Sequence, residues 1–164
     1  MVTNMTEIIM NGVGKFNVAP GDFLIIMGIS KSGKTSLLNK IAEDHPNICA
    51  QIWPEAMWKH YDYHRTARQN NNPLERLSLI KSTVDPVKIY LLDEPTVGMD
   101  RPTKIELMLY LRKLTKDKNK TVIMTTHDWV AIEFGTKIIE IRDQIDAHGR
   151  ERRFIDHGPG AMNK

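Results

Sequence analysis

The segment Gly28-Ile29-Ser30-Lys31-Ser32-Gly33-Lys34-Thr35 constrains this chain more than any other stretch. It has the form G-x-x-x-x-G-K-T. Apolar Phe23-Leu24-Ile25-Ile26-Met27 runs into it, and helix-forming Ser36-Leu37-Leu38-Asn39-Lys40-Ile41-Ala42 leaves it. A strand, a glycine loop and a helix in that order make a phosphate cradle. The glycines let successive N–H groups turn inward, and the helix N-terminus adds partial positive charge. The expected ligand is the phosphate chain of a nucleoside triphosphate. Its predicted contacts are Gly28, Ser30, Lys31, Ser32, Gly33, Lys34, Thr35 and Ser36. Lys34 is placed to reach the β- and γ-phosphates, and the Thr35 hydroxyl to ligate Mg²⁺.

A length of 164 residues supports a single domain over residues 1–164, with a polar segment from about 145 to the end. Composition, 41% hydrophobic and 26% charged, is that of a soluble globular chain. No apolar run approaches the ~20 residues that span a bilayer. Met1-Val2-Thr3-Asn4-Met5-Thr6-Glu7 lacks the basic segment and apolar core of a secretory signal, so the expected compartment is the cytoplasm. The one cysteine, Cys49, excludes an intramolecular disulfide and a cysteine-rich metal site. Within Ile48-Cys49-Ala50 it reads as a small buried hydrophobe. Net charge is +3, a mild bias. The basic clusters Lys113–Lys120 and Arg150–Arg153 lack interleaved aromatics, so direct nucleic-acid binding is not favoured.

Along the chain, Glu7–Val13 is predicted as a first strand, followed by a turn at Pro20-Gly21 and a strand over Asp22–Met27. A helix is expected from Lys34 to Glu43 and a short strand over Ile48–Trp53. Residues 54–72 are the least regular, and His60 and His64 there lack the partners that a metal site needs. Asn72, Pro73 and Glu75 read as a helix start, with Leu74, Leu77, Ile80 and Val84 expected on one face. Val87–Leu92 is a strand with a nearly unbroken apolar end that suits burial on both faces, and Thr121–Thr125 is expected as another buried strand. Arg101–Lys116 is predicted as an amphipathic helix using Ile105, Met108, Leu109 and Leu111. A short helix over Asp128–Glu133, a strand over Lys137–Ile141 and an edge strand at Arg153-Phe154-Ile155 complete the order. Alternating strands and helices predict an α/β fold with a mostly parallel sheet covered on both faces. The phosphate site is expected at the carboxyl ends of the strands.

Two further motifs fall at strand ends. Leu91-Leu92-Asp93-Glu94-Pro95 places Asp93 at the tip to hold Mg²⁺, usually through water, opposite Thr35. Glu94 can polarise an attacking water as general base. In Thr125-Thr126-His127-Asp128, His127 can hydrogen-bond a γ-phosphate and hold that water in line.

These motifs resemble the nucleotide-binding domain of ABC-type ATPases over nearly the whole chain. Four segments carry the likeness: Pro20-Gly21-Asp22-Phe23, the glycine loop, Leu91 through Asp100, and Thr125-Thr126-His127-Asp128. The resemblance implies a three-layer P-loop NTPase fold, ATP with Mg²⁺, Glu94 as catalytic base and His127 as switch histidine. Asp100 then matches the D-loop aspartate. The family's loop glutamine, a metal contact, falls on Gln51, while the register equally allows Trp53 or Pro54.

The departures are specific. The stretch from Lys34 to Asp93 is short for the helical subdomain on which transporter ATPases dock their membrane partner. The Leu-Ser-Gly-Gly-Gln signature is absent, with Gln69-Asn70-Asn71-Asn72 in its place. No aromatic stands where the family stacks adenine, Phe16 being nearest. The leading function is a small soluble ATPase coupling nucleotide state to an unidentified protein partner. A nucleotide-gated binding module with negligible hydrolysis and a small P-loop kinase are the alternatives. A weak ATP-dependent homodimer, with Asn70–Asn72 facing the partner's ATP, is a further expectation.

Overall fold

Unbroken apolar strands need cover on both faces. The computed structural model, which describes residues 6–10, 12–28, 33–45, 49–53, 73–82 and 88–163, shows how they obtain it. Strands β1 (Thr6–Met10) and β2 (Gly14–Val18) form an antiparallel hairpin. Strands β3 (Phe23–Gly28), β4 (Cys49–Trp53), β5 (Ile89–Asp93), β6 (Thr121–Thr125) and β7 (Lys137–Asp146) are parallel. Strand β8 (Gly149–Gly158) lies antiparallel to β7. The six-stranded order is β4-β5-β6-β3-β7-β8. Helices α1 (Lys34–Asp44), α2 (Pro73–Ser82), α3 (Arg101–Asp117) and α4 (Trp129–Ile132) lie between successive parallel strands, and a 3₁₀ turn spans Ala161–Asn163.

The two-residue period of the strands divides the core into two layers. Phe23, Ile25, Tyr90, Leu92, Val122 and Met124 pack with Leu77 and Ile80 of α2 and with Leu107, Met108 and Leu111 of α3. Their sequence neighbours Leu24, Ile26, Leu91 and Ile123 pack with Leu37, Leu38 and Ile41 of α1 and with Ile8, Phe16 and Val18 of the hairpin. The result is the three-layer α/β arrangement expected from the sequence. Because β6 lies between β3 and β5, the glycine loop, Asp93 and Thr125 emerge at the same carboxyl end of the sheet.

Several local expectations are corrected. Strand β2 was not anticipated, since Gly14 and Lys15 interrupt any apolar run there; it is held by its register with β1. Leu74 is 63% exposed. The buried stripe of α2 is set by Arg76, Leu77 and Ile80, and at about 100° per residue this leaves Leu74 on the flank. Leu109 is exposed for the same reason, lying opposite the stripe Leu107, Met108, Leu111. Gln51 lies within the expected strand, β4, level with Leu91, and the parallel ladder continues to Trp53 opposite Leu92. Residues Ile48, His60, His64, Asn70–Asn72 and Val84 fall outside the described residues. Among those described, no helix is long and apolar enough to cross a membrane.

The C-terminal segment, expected to be polar with an edge strand of three residues, instead forms the long β7–β8 ribbon. Much of its polarity is pairing of charges within and across the two strands, which stabilises an edge. Asp143 accepts from Arg152 at 2.8 Å and from Arg150 at 2.6 Å. Glu140 accepts from Arg142 at 2.7 Å and lies 2.8 Å from His157. Hydrogen bonding from Arg142 is the main influence that holds the Glu140 carboxyl below its ordinary value. For Asp143, burial pushes the carboxyl up, and the two arginines outweigh it and bring it below its ordinary value. Carboxyls depressed in the folded state stabilise it above their ordinary values of 4.5 and 3.8, and this contribution is lost as pH falls through the lower folded values. Acidification is therefore expected to release β8 before the central strands. Amide hydrogen exchange of Arg150–Phe154 against Val122–Met124 checks it.

Candidate functional site

The loop between β3 and α1 is shaped by what glycine allows. Gly33, the N-cap of α1, has φ 101° and ψ 14°, a left-handed conformation costly for other residues. A Cβ there would come within 2.6 Å of Met10 Cε. No side chain caps α1, and its first turn has no acidic residue, so its leading N–H groups suit an anion. Lys34 is buried, and its Nζ donates to the Gly28 carbonyl at 2.7 Å. Burial lowers its pKa, while Glu94 and Asp93 act in the opposite direction.

The acidic strand end is tied across β6 to both neighbours. Asp93 is buried, and both carboxylate oxygens are engaged. Oδ2 accepts from Thr35 Oγ1 at 2.7 Å and Oδ1 from Thr125 Oγ1 at 2.5 Å. The Thr125 hydroxyl also accepts from the Glu94 backbone N–H at 3.0 Å, and the Thr125 carbonyl from the same N–H at 3.1 Å. Those bonds help hold Glu94 at φ 48°, a left-handed conformation that costs a non-glycine residue about 1–3 kcal/mol. Strained backbone of this kind concentrates at functional sites. Here it turns Glu94 away from the strand direction and brings its Oε1 to 2.7 Å from His127 Nε2.

His127 sits at the corner between β6 and α4, and its neighbours are pinned. Thr126 N–H extends the ladder to the Ile26 carbonyl at 3.2 Å. Asp128 caps α4 by accepting from Val130 N–H at 3.0 Å, and pairs with Lys104 Nζ at 2.6 Å. Asp100 caps α3, accepting from Thr103 N–H at 2.9 Å; hydrogen bonding from the Thr103 side chain first, and this backbone bond second, lowers its pKa.

Of the sequence-predicted residues, the structure brings Gly28, Gly33, Lys34, Thr35, Asp93, Glu94 and His127 to this end of the sheet. Ser36 is exposed on the first turn of α1, and Ser30, Lys31 and Ser32 lie outside the described residues. Phe16 is buried edge-on to Phe154, centroids 5.0 Å apart, and presents no open face for stacking a base. Among described residues no group of three His, Cys, Asp or Glu side chains is arranged to hold a metal. Two residues were missed from the sequence. Thr125 had a signal, its place at the strand end opposite Asp93, but was read only as part of the histidine motif. Arg76 had none.

Thr125→Val should destabilise the fold by about 1–3 kcal/mol, the cost of leaving buried polar groups short of partners. Urea unfolding against wild type measures it.

A glycine loop, an acidic strand end and a histidine strand end on a three-layer sheet define a P-loop α/β domain. No family model matches the chain. Among curated proteins it is 30% identical over 94 residues to the uncharacterized ABC transporter ATP-binding protein MJ0796 of Methanocaldococcus jannaschii, a match covering 57% of this chain and 40% of that protein. It is 32% identical over 81 residues to the phosphonates import ATP-binding protein PhnC 3 of Halalkalibacterium halodurans, covering 49% and 31%. The chain thus spans less than half the length of these relatives. In fold it is similar to a dimeric, post-hydrolysis structure of the MJ0796 cassette bound to ADP and Pi, with TM-score 0.57 and 18% identity, covering 83% of this chain and 90% of that one. It is also similar to the KaiC-like protein PH0186 of Pyrococcus horikoshii, with TM-score 0.64 and 14% identity over 96% and 89%. The resemblance to ABC-type P-loop ATPase domains read from the motifs is therefore shown, by sequence relatives and by fold.

Proposed function

We propose that residues 1–164 act as one P-loop domain that binds Mg-ATP and hydrolyses it, coupling nucleotide state to a protein partner. One observation carries the reading. Three strand ends converge so that Thr35 Oγ1 meets Asp93 at 2.7 Å while Glu94 meets His127 at 2.7 Å. The first pair supplies a hydroxyl and a carboxylate, hard oxygen donors that fit Mg²⁺. Mg²⁺, when bound, supplies charge neutralisation of phosphoryl oxygens. The chain's own residues do the rest. Lys34 offers its ammonium to the β- and γ-phosphates, assisted by the N–H groups at the start of α1. Glu94, aimed by its left-handed backbone, takes a proton from the attacking water. His127 holds the Glu94 carboxylate in place and offers a ring nitrogen toward the γ-phosphate. Gln51, on the edge strand β4 beside β5, remains a third proposed metal contact.

The test is equilibrium titration with Mg-ATP, followed by phosphate release without an added acceptor. Binding with release supports the ATPase. Binding with negligible release favours the nucleotide-gated module, release only with an acceptor favours a kinase, and no binding overturns all three. The sequence relatives are named as ATP-binding proteins, which supports ATP as the nucleotide. We further propose a weak ATP-dependent homodimer. Sedimentation of Glu94→Gln at high protein concentration should show it with Mg-ATP and not without.

A further inference from the structure

Helix α2 carries a cation on its buried face. Arg76 is 3% exposed, although a core helix would be expected to place an apolar side chain there. Its Nη1 donates to the Pro95 carbonyl at 2.7 Å and to the Val97 carbonyl at 2.6 Å. Burying a guanidinium is costly, and an apolar residue would fill the same volume more cheaply. Both bonds come from one nitrogen, whose two N–H groups are fixed in the guanidinium plane and so bridge the two carbonyls at once.

The segment it grips is bounded in a particular way. Glu94 and Gly98, the residues on either side of 95–97, both have left-handed backbones, with φ 48° and 76°. Between them the chain folds on itself, with Val97 N–H donating to the Glu94 carbonyl at 3.3 Å and Met99 N–H to the Thr96 carbonyl at 3.0 Å. Residues 95–97 are therefore a small block between two sharp bends, and the α2 arginine fastens that block. The same helix is tied to α3, the helix that follows the block, by Lys81 and Glu106 at 2.6 Å.

We infer that Arg76 is a positioning residue. By clamping the Pro95 and Val97 carbonyls it fixes the bend at Glu94, and with it the approach of the Glu94 carboxylate to His127. A displacement of helix α2 is then passed directly to the catalytic turn. This rests on the reading of Glu94 as general base, and the experiment separates the two.

Two variants are made in the full chain. Arg76→Lys keeps the charge on a shorter side chain without the plane that fixes the two N–H directions, and Arg76→Gln keeps a donor without burying a charge. The first readout needs no activity: the imidazole NMR signals of His127, assigned with His127→Gln. In both variants they should move away from their wild-type positions toward those seen in Glu94→Ala, which removes the contact. Signals that stay at wild-type positions in both overturn the inference, whether or not the chain hydrolyses ATP. The second readout is turnover. Mg-ATP affinity should be unchanged, while kcat falls about 10²-fold, the loss expected from an ångström-scale misplacement of a catalytic group. Combined with Glu94→Gln, Arg76→Lys should cause no further loss, because both changes remove the same positioned base. An additive further loss, or a fall in affinity equal to the fall in kcat, overturns the inference. So does failure of both variants to fold, which would assign Arg76 to stability alone. Absence of hydrolysis in the wild type instead removes the ATPase reading, and full turnover in Glu94→Gln removes only the reading of Glu94 as base; either leaves the His127 signals to decide whether Arg76 sets the turn.

Discussion

Lys34→Ala should lose at least about 10²-fold in affinity for Mg-ATP, enough to abolish binding in an ordinary titration. The side chain is buried, with its ammonium on the Gly28 carbonyl at the mouth of the cradle. Hydrogen bonds to a charged group contribute about 1.5–3 kcal/mol, and each 1.4 kcal/mol is tenfold in binding. A second effect acts in the same direction. Asp93 and Glu94 interact electrostatically with Lys34, and without its positive charge they would repel the incoming phosphates. The fold should survive, since α1 is held by Leu37, Leu38 and Ile41 rather than by Lys34. Circular dichroism checks that, and calorimetric titration checks the affinity. Wild-type affinity in a folded variant would remove Lys34 from the phosphate site.

Glu94→Gln should retain Mg-ATP binding and lose about 10²–10⁴ in turnover, the usual contribution of a positioned general base. The substitution preserves shape. The bonds that set the bend, from the Glu94 N–H to Thr125, belong to the backbone and persist. An amide oxygen can still accept from His127 across the 2.7 Å contact, but cannot take a proton from water. Phosphate release at saturating Mg-ATP measures the effect. Unchanged turnover would reassign the base, with His127 the next group in line.

Much of this site is legible in the sequence because its parts are local. A glycine at φ 101° before Lys34, a strand that stays apolar to its last residue, and a carboxylate at the strand tip each reflect a constraint within a few residues. Unbroken apolar runs likewise imply strands buried on both faces, and alternation with helices implies the parallel sheet. The motifs therefore predict the P-loop class, the end of the sheet that holds the site, and most residues at it.

Tertiary structure alone decided how those parts meet. The position of β6 between β3 and β5 lets Thr125 bridge Asp93 and the Glu94 N–H, a contact that joins residues 32 positions apart. Nothing in the local pattern around Arg76 distinguishes a solvated arginine from a clamp, because its carbonyl partners lie on another element and carry no side-chain signature. Arg76, Leu77 and Ile80 share the buried face of α2, and Leu74 is exposed, against the periodicity of its leucines. The β7–β8 ribbon read as a polar tail for a similar reason: a charge is solvated or paired according to what stands across the strand, and register is a property of two segments. Local sequence determines where the chain bends and which chemistry it offers; the packing of distant segments determines which of those groups are held, and at what angle.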